Sequence, residues 1–170
     1  MKMTSLTING RTVSRLSING REVALGSTTS DALCFTAKEP GSTIKITKNG
    51  DAPAVNLQTS TDGNSWTPYT VEDVITLENV GDKVYFKAVG SNHSMATSPN
   101  DYNKFTTESG ELEASGNVNS LLEEDEETAR TMSLENRQFC YACLFSGTLL
   151  TTAPELPATT LAYGCYAMMF

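Results

Sequence analysis

The sequence predicts a mainly β chain: a small β-sandwich followed by the start of an α/β solenoid with short helical turns. Three observations predict it. Between residues 33 and 107, short apolar runs are separated by Pro40-Gly41, Asn49-Gly50, Asp62-Gly63 and Gly81-Asp82, the punctuation of strands joined by tight turns. The opening segment carries "LTINGRTV" and, ten residues later, "LSINGREV". The last six residues, "CYAMMF", repeat an earlier "CYACLF" at an offset of 25 residues.

Composition agrees with that class. Of 170 residues, 39% are hydrophobic and only 19% charged, and the abundant Thr, Ser, Asn and Gly suit strands and turns better than long helices. The formal charge of −8 argues against nucleic acid as a partner, because phosphate binding needs clustered Lys and Arg. No basic amphipathic stretch suggests a membrane surface. No run approaches the roughly 18 apolar residues of a membrane span, so no membrane insertion is expected. The first twenty residues lack the apolar core of a secretory signal, and export by that route is not expected.

Residues 1–30 read as an N-terminal β-hairpin docking arm and linker. Asn9-Gly10 and Asn19-Gly20 are expected as two-residue hairpin turns, since Asn-Gly accepts positive φ at both central positions. Leu6, Ile8, Leu16 and Ile18 would share a strand face, with Val13 and Val23 across the turns. Two hairpins of this size are marginal alone, which favours a docking or assembly role over a mobile arm. Residues 26–32, "GSTTSDA", read as a linker.

Residues 31–107 are expected as the sandwich. The strand candidates are "LCFTA" (33–37), "STIKITK" (42–48), "AVNLQTS" (54–60), "WTPYT" (66–70), "DVITL" (73–77) and "KVYFKAV" (83–89). Ile44, Ile46, Leu57, Trp66, Ile75, Leu77, Val84 and Phe86 are the expected core. A lone Trp is usually a small domain's largest buried side chain. The competing reading makes Trp66, Tyr69 and Tyr102 ligand-contact aromatics, with Tyr85 a further candidate ring. Residues 91–105 read as a polar loop carrying the only histidine, His93, with no Cys or acidic cluster beside it at ligand spacing.

Residues 108–170 read as a cap followed by stacked coils. Asn117 is placed to cap a short helix over "VNSLL". The run Glu123–Glu127 lacks the alternating ligands and glycine turn of a calcium loop, and is expected as a solvated face or loop. Cys140-Tyr141-Ala142-Cys143 has the C-x-x-C spacing of a zinc or redox site. Set against its repeat, however, four of six positions are identical, while Cys143 falls on Met168 and Leu144 on Met169. A thioether cannot replace a zinc thiolate, so the motif reads as architecture, with no metal and no cofactor. Cys140 with Cys165, and Phe145 with Phe170, become the rungs of a buried ladder. A ladder disulfide is permitted but not required. The period of 25 falls within the about 20–29 residues of leucine-rich repeats. Leu149, Leu150, Leu156 and Leu161 would supply the apolar skeleton. "LLTTAPELP" would be a strand ended by Pro154 and Pro157, and "TTLAYGCYAMMF" a short helical stretch capped by Thr159 or Thr160.

"LFSGTLLTTAPELPATTLAYGCYAMMF" resembles the tandem coils of BspA-like leucine-rich-repeat surface proteins of Bacteroidetes, in which copies similar to "LF.GC.SLTTAPELPATTLA..CY..MF" run in series. The likeness covers roughly residues 140–170. The preceding "FTAKEPGSTIKITKNG", "STDGNSWTPYTVEDVITLENVGDKVYFKA" and "EASGNVNSLL" resemble, more loosely, the β-domain and cap that precede such coils. The chain departs from the pattern at Thr148, where a Cys often stands, and in having fewer coils than a binding horseshoe. The opening "LTINGRTVSRLSINGREV" resembles N-terminal segments of phage virion proteins. Together these resemblances imply a non-enzymatic virion structural or adhesion protein: a fibre, tail or head-decoration component of a bacteriophage. It would dock other virion or surface proteins through the N-terminal arm and recognise a host-surface protein or glycan. A homo-oligomer is implied, with a trimer the expected copy number, and localisation in the virion. The alternatives are a bacterial BspA-like cell-surface adhesin and a carbohydrate-binding module.

No enzyme is expected. There is one histidine, no G-x-S-x-G and no phosphate-cradling Gly-rich loop. Asp62, Glu72, Asp73 and Glu78 could include a carboxylate pair of the glycosidase type, but their strand-turn setting reads as a solvated rim.

Overall fold

The structure is a computed structural model. It describes residues 30–170 and, before them, the backbones of four short strands: β1 (Thr7–Ile8), β2 (Arg11–Thr12), β3 (Arg15–Ile18) and β4 (Arg21–Ala24). The chain divides into two units, Met1–Ser30 and Asp31–Phe170. In the first, β1 pairs antiparallel with β2 and β3 with β4. Ile8 lies opposite Arg11 and Ile18 opposite Arg21, a register that leaves two residues to close each hairpin. The Asn-Gly conformations, the side-chain faces expected for Leu6, Ile8, Val13, Leu16, Ile18 and Val23, and residues 26–29 of the expected linker lie outside the described residues.

The second unit is mainly β, with two sheets arranged like a sandwich. Its strands are β5 (Leu33–Ala37), β6 (Ser42–Asn49), β7 (Leu57–Ser60), β8 (Thr67–Tyr69), β9 (Ile75–Leu77), β10 (Lys83–Ala88), β11 (Tyr102–Thr106), β12 (Leu112–Ser115) and β13 (Leu150–Thr152). One sheet runs β13-β12-β5-β10-β7-β8 and the other β11-β6-β9. Every pairing is antiparallel except β12 with β13. Period-2 burial explains why these runs are strands: Ser42, Ile44 and Ile46 of β6 point inward, and their neighbours do not. Phe35 and Phe86 from the larger sheet meet Phe105 from the smaller at centroid distances of 4.8 and 5.1 Å.

Of the expected core, Ile44, Ile46, Leu57, Leu77, Val84 and Phe86 are buried, and Ile75 packs half-buried against them. Trp66 is not in this core. It lies half-buried beside Ala32, Cys34 and Tyr85, a separate apolar cluster. Cys34 and Tyr85 alternate with the inward Phe35 and Phe86 along β5 and β10, which places this cluster on the outer face of the larger sheet.

Residues 91–105 are not loop throughout, because β11 begins at Tyr102. Its inward positions are Asn103 and Phe105. The inward Asn103 donates its amide to the Pro53 and Met95 carbonyls, so a polar residue occupies a core-facing position.

The acidic run lies on the surface, as expected, but two of its residues have structural partners. Glu124 accepts from the Gly90 N–H at 2.7 Å and the Gln58 amide at 3.1 Å. Asp125 caps a helix, α1 (Glu126–Thr131), by accepting from the Thr128 N–H. Asn117 caps a 3-10 turn at Val118–Leu121 by accepting from the Asn119 N–H.

Residues 31–107 and 108–170 share one core. β12 pairs with β5, and Cys140, Tyr141, Leu144 and Phe145 pack in the same buried cluster as Leu33 and Phe35. The expected leucine skeleton is largely outside it. Leu150 is partly buried, but Leu149, Leu156 and Leu161 are exposed. Only Leu150 lies in a strand, β13, and it is the one packed against the core.

Candidate functional site

Residues 138–147 and 163–168 form successive hydrogen-bonded turns, not a helix. Phe139 and Cys143 have φ of 54° and 59°, and Gly164 and Met168 have φ of 68° and 51°. A left-handed residue at every fourth position stops a right-handed helix from propagating. These positions lie 25 residues apart, pairwise, so the backbone repeats with the sequence. The Ala142 N–H donates to Phe139 O at 2.8 Å, and the Ala167 N–H to Gly164 O at 3.0 Å.

The two turn-coils are joined by a one-way ladder. The N–H groups of Phe139, Tyr141, Cys143 and Phe145 donate to the carbonyls of Tyr163, Cys165, Ala167 and Met169, at 2.7 to 3.1 Å. Rings stack along the same direction. Tyr141 and Tyr166 lie 5.8 Å apart and 7° from parallel, and Phe145 and Phe170 lie 5.5 Å apart and 22° from parallel. Phe105 lies on the other side of Phe145 at 5.7 Å and 14°. The N–H of Phe105 donates to Leu144 O, and those of Met95 and Ala96 to Cys140 O. The sandwich thus occupies the position of a preceding rung.

Among the described residues no further coil pairs with the second one. By the 25-residue correspondence, its next donors are the N–H groups of Gly164, Tyr166, Met168 and Phe170. These find no acceptor among the described residues. The Tyr166 hydroxyl is buried with no hydrogen-bond partner. The side chains of Tyr163, Met168 and Phe170 are 76%, 58% and 61% exposed.

Cys34, Cys140, Cys143 and Cys165 are all free and buried. Desolvation pushes the Cys140 thiol up to about 12, which keeps it protonated and unreactive at neutral pH. The Cys165 thiol donates to the Arg137 and Leu134 carbonyls. Among the described residues no cluster of His, Cys, Asp or Glu has the arrangement of a metal site.

The three aromatics singled out as ligand contacts lie in different settings. Lys87 Nζ sits 4.4 Å from the Trp66 ring centroid, a cation–π contact. Tyr69 connects the two sheets: its hydroxyl accepts from Ile46 N–H at 2.8 Å and donates to Asp73 O at 2.9 Å, while its ring meets Phe86 edge-on. Burial pushes that hydroxyl up to about 12. Tyr102, half-buried, opens β11 opposite Asn49. Tyr85 is buried.

Among the candidate acids, Asp62 accepts from the N–H groups of Asn64 and Ser65 and from the Ser60 and Ser65 hydroxyls. These bonds, those from the backbone first, hold its carboxyl far below the usual range. Glu72 accepts from Lys48 N–H. Asp62 thus binds the donors of its own turn, and Glu72 an N–H of β6. His93 is exposed and borders a polar pocket with Glu135, Asn136 and Gln138, none of which the sequence singles out. No helix among the described residues is long and apolar enough to cross a membrane. Comparison of the chain with protein-family models, with curated proteins and with solved structures finds no match.

Proposed function

We propose that the chain is a non-enzymatic structural and adhesion protein of a bacteriophage virion, a fibre, tail or head-decoration component that contributes to assembly and host-surface recognition. In this reading the C-terminal turn-coils are leucine-rich-repeat coils of the BspA-like type, and the N-terminal hairpins are the docking arm. The observation that carries the reading is the recurrence of the coil along the ladder. The 25-residue recurrence of backbone angles, hydrogen bonds and ring stacking supports the repeat assignment. The resemblance of the opening segment to virion proteins supports the location, and a homotrimer is the proposed assembly.

Immunogold electron microscopy tests it, using antibody raised against the purified chain. Gold at a fixed position on purified phage particles is the expected result. Gold on the envelope of uninfected bacteria, with none on particles, would contradict it and favour the cell-surface adhesin.

A further inference from the structure

The polar pocket beside His93 makes a second kind of contact available. It measures about 390 Å³, at the lower end of the about 300–1,000 Å³ typical of small-molecule sites. Residues 93–97 form one wall and residues 135–138 the other. The walls are tied together. Arg137 Nη1 donates to the Asn92 and His93 carbonyls, and the Met95 and Ala96 N–H groups donate to Cys140 O at 2.9 and 3.1 Å. A cavity held in this way needs little ordering when a ligand enters.

Its chemistry is one-sided. Ser94, Thr97, Glu135, Asn136 and Gln138 line it with hydroxyl, carboxylate and amide groups, and none of these side chains bonds to another described residue. Ser94 is only 3% exposed. Its hydroxyl lines the pocket with no bond to another described residue, which leaves it free to meet a ligand. No lysine or large apolar side chain lines the space, and the Arg137 guanidinium is engaged by backbone carbonyls. An anion would meet the Glu135 carboxylate with His93 the one titratable nitrogen beside it, and an apolar ligand would strand the amides.

We propose that this pocket binds a neutral sugar residue of a glycan. Sugar hydroxyls both donate and accept, as the amides and serine require. A carboxylate accepts from two adjacent hydroxyls at once, the role open to Glu135. The site is separate from Trp66, which lies on the larger sheet's outer face. The inference concerns the isolated chain, so it stands or falls apart from the virion assignment.

Saturation-transfer NMR on the full chain tests it, using the methyl glycosides of galactose, glucose, mannose, fucose and N-acetylglucosamine. Transfer to at least one glycoside is expected, with affinity falling about tenfold in Glu135→Gln, the loss of one charge-assisted hydrogen bond. A clear fall in Asn136→Ala and no change in Trp66→Ala are also expected. Both pocket residues are exposed, and circular dichroism will confirm that the variants fold. No transfer to any of the five would overturn the proposal. So would transfer that survives both pocket substitutions, or that disappears in Trp66→Ala.

Discussion

Truncating Phe145 to alanine tests whether the aromatic ladder holds the C-terminal coils to the sandwich. The ring is 1% exposed and lies between Phe105 at 5.7 Å and Phe170 at 5.5 Å, with Phe35 at 6.3 Å. Removing a fully buried Phe costs about 3–5 kcal/mol, a large share of the about 5–15 kcal/mol that separates folded from unfolded domains. Phe170 is 61% exposed. Full burial of such a ring is worth about 1.5–3 kcal/mol, so the smaller fraction buried here gives Phe170→Ala a cost near 1 kcal/mol. The two residues touch, and the double variant should therefore be non-additive by about 0.5–1.5 kcal/mol, the value of a stacked pair beyond its area. Urea unfolding followed by circular dichroism measures all three, with a shifted midpoint at constant slope as the sign of a pure stability change. In a chain of this length the Phe145→Ala loss corresponds to roughly 6–20 °C in Tm. Equal costs for the two single variants, or strict additivity, would refute the stacked-rung account.

Other outcomes follow from the same geometry. Gly164 has φ of +68°, and a Cβ there would lie 2.5 Å from two carbons of the Phe139 ring. Gly164→Ala should therefore cost at least about 1–2 kcal/mol by urea unfolding, the left-handed backbone penalty alone. No loss would contradict the packing of Phe139 over this turn. Asn117→Ala removes the acceptor for Asn119 N–H at a position 1% exposed, and should cost about 0.5–2 kcal/mol in the same assay. Burial raises Cys140, Tyr69 and Tyr166 to about 12 in the fold, from ordinary values of 9.0 for Cys and 10.0 for Tyr. The fold favours their neutral forms, so their contribution is whole below pH 9 and is lost as pH rises towards 12. Alkaline unfolding monitored by tyrosinate absorbance should show that decline, and a flat profile would count against the burial.

Strands β5, β6 and β10 were legible because apolar alternation and glycine-containing turns agree there on one answer. The coil period was legible because Cys140–Phe145 and Cys165–Phe170 share four of six residues. β11 was hidden by Asn103, a core-facing amide that breaks the apolar alternation and is satisfied by carbonyls far off in sequence. Helix α1 was hidden because charge density in Glu123–Glu127 masks the distinct duties of Glu124 and Asp125. Trp66 was misplaced because its size favours burial, while register puts its neighbours Cys34 and Tyr85 on the outer sheet face. The turn conformation of the coils left two traces, glycines at 147 and 164; the left-handed Phe139, Cys143 and Met168 carry ordinary side chains. The pocket beside His93 left none, since its walls come from segments about forty residues apart that tertiary hydrogen bonds bring together.

Amide hydrogen exchange on the dilute, monomeric chain tests the central claim most directly, because the ladder and its open end differ in which N–H groups are bonded. The amides of Phe139, Tyr141, Cys143 and Phe145, which donate into the second coil, should exchange slowly, at rates set by unfolding of the coil. Their counterparts Gly164, Tyr166, Met168 and Phe170 should exchange orders of magnitude faster. Equal protection in the two sets, or fast exchange in both, would mean that the coils do not stack as one rung upon another.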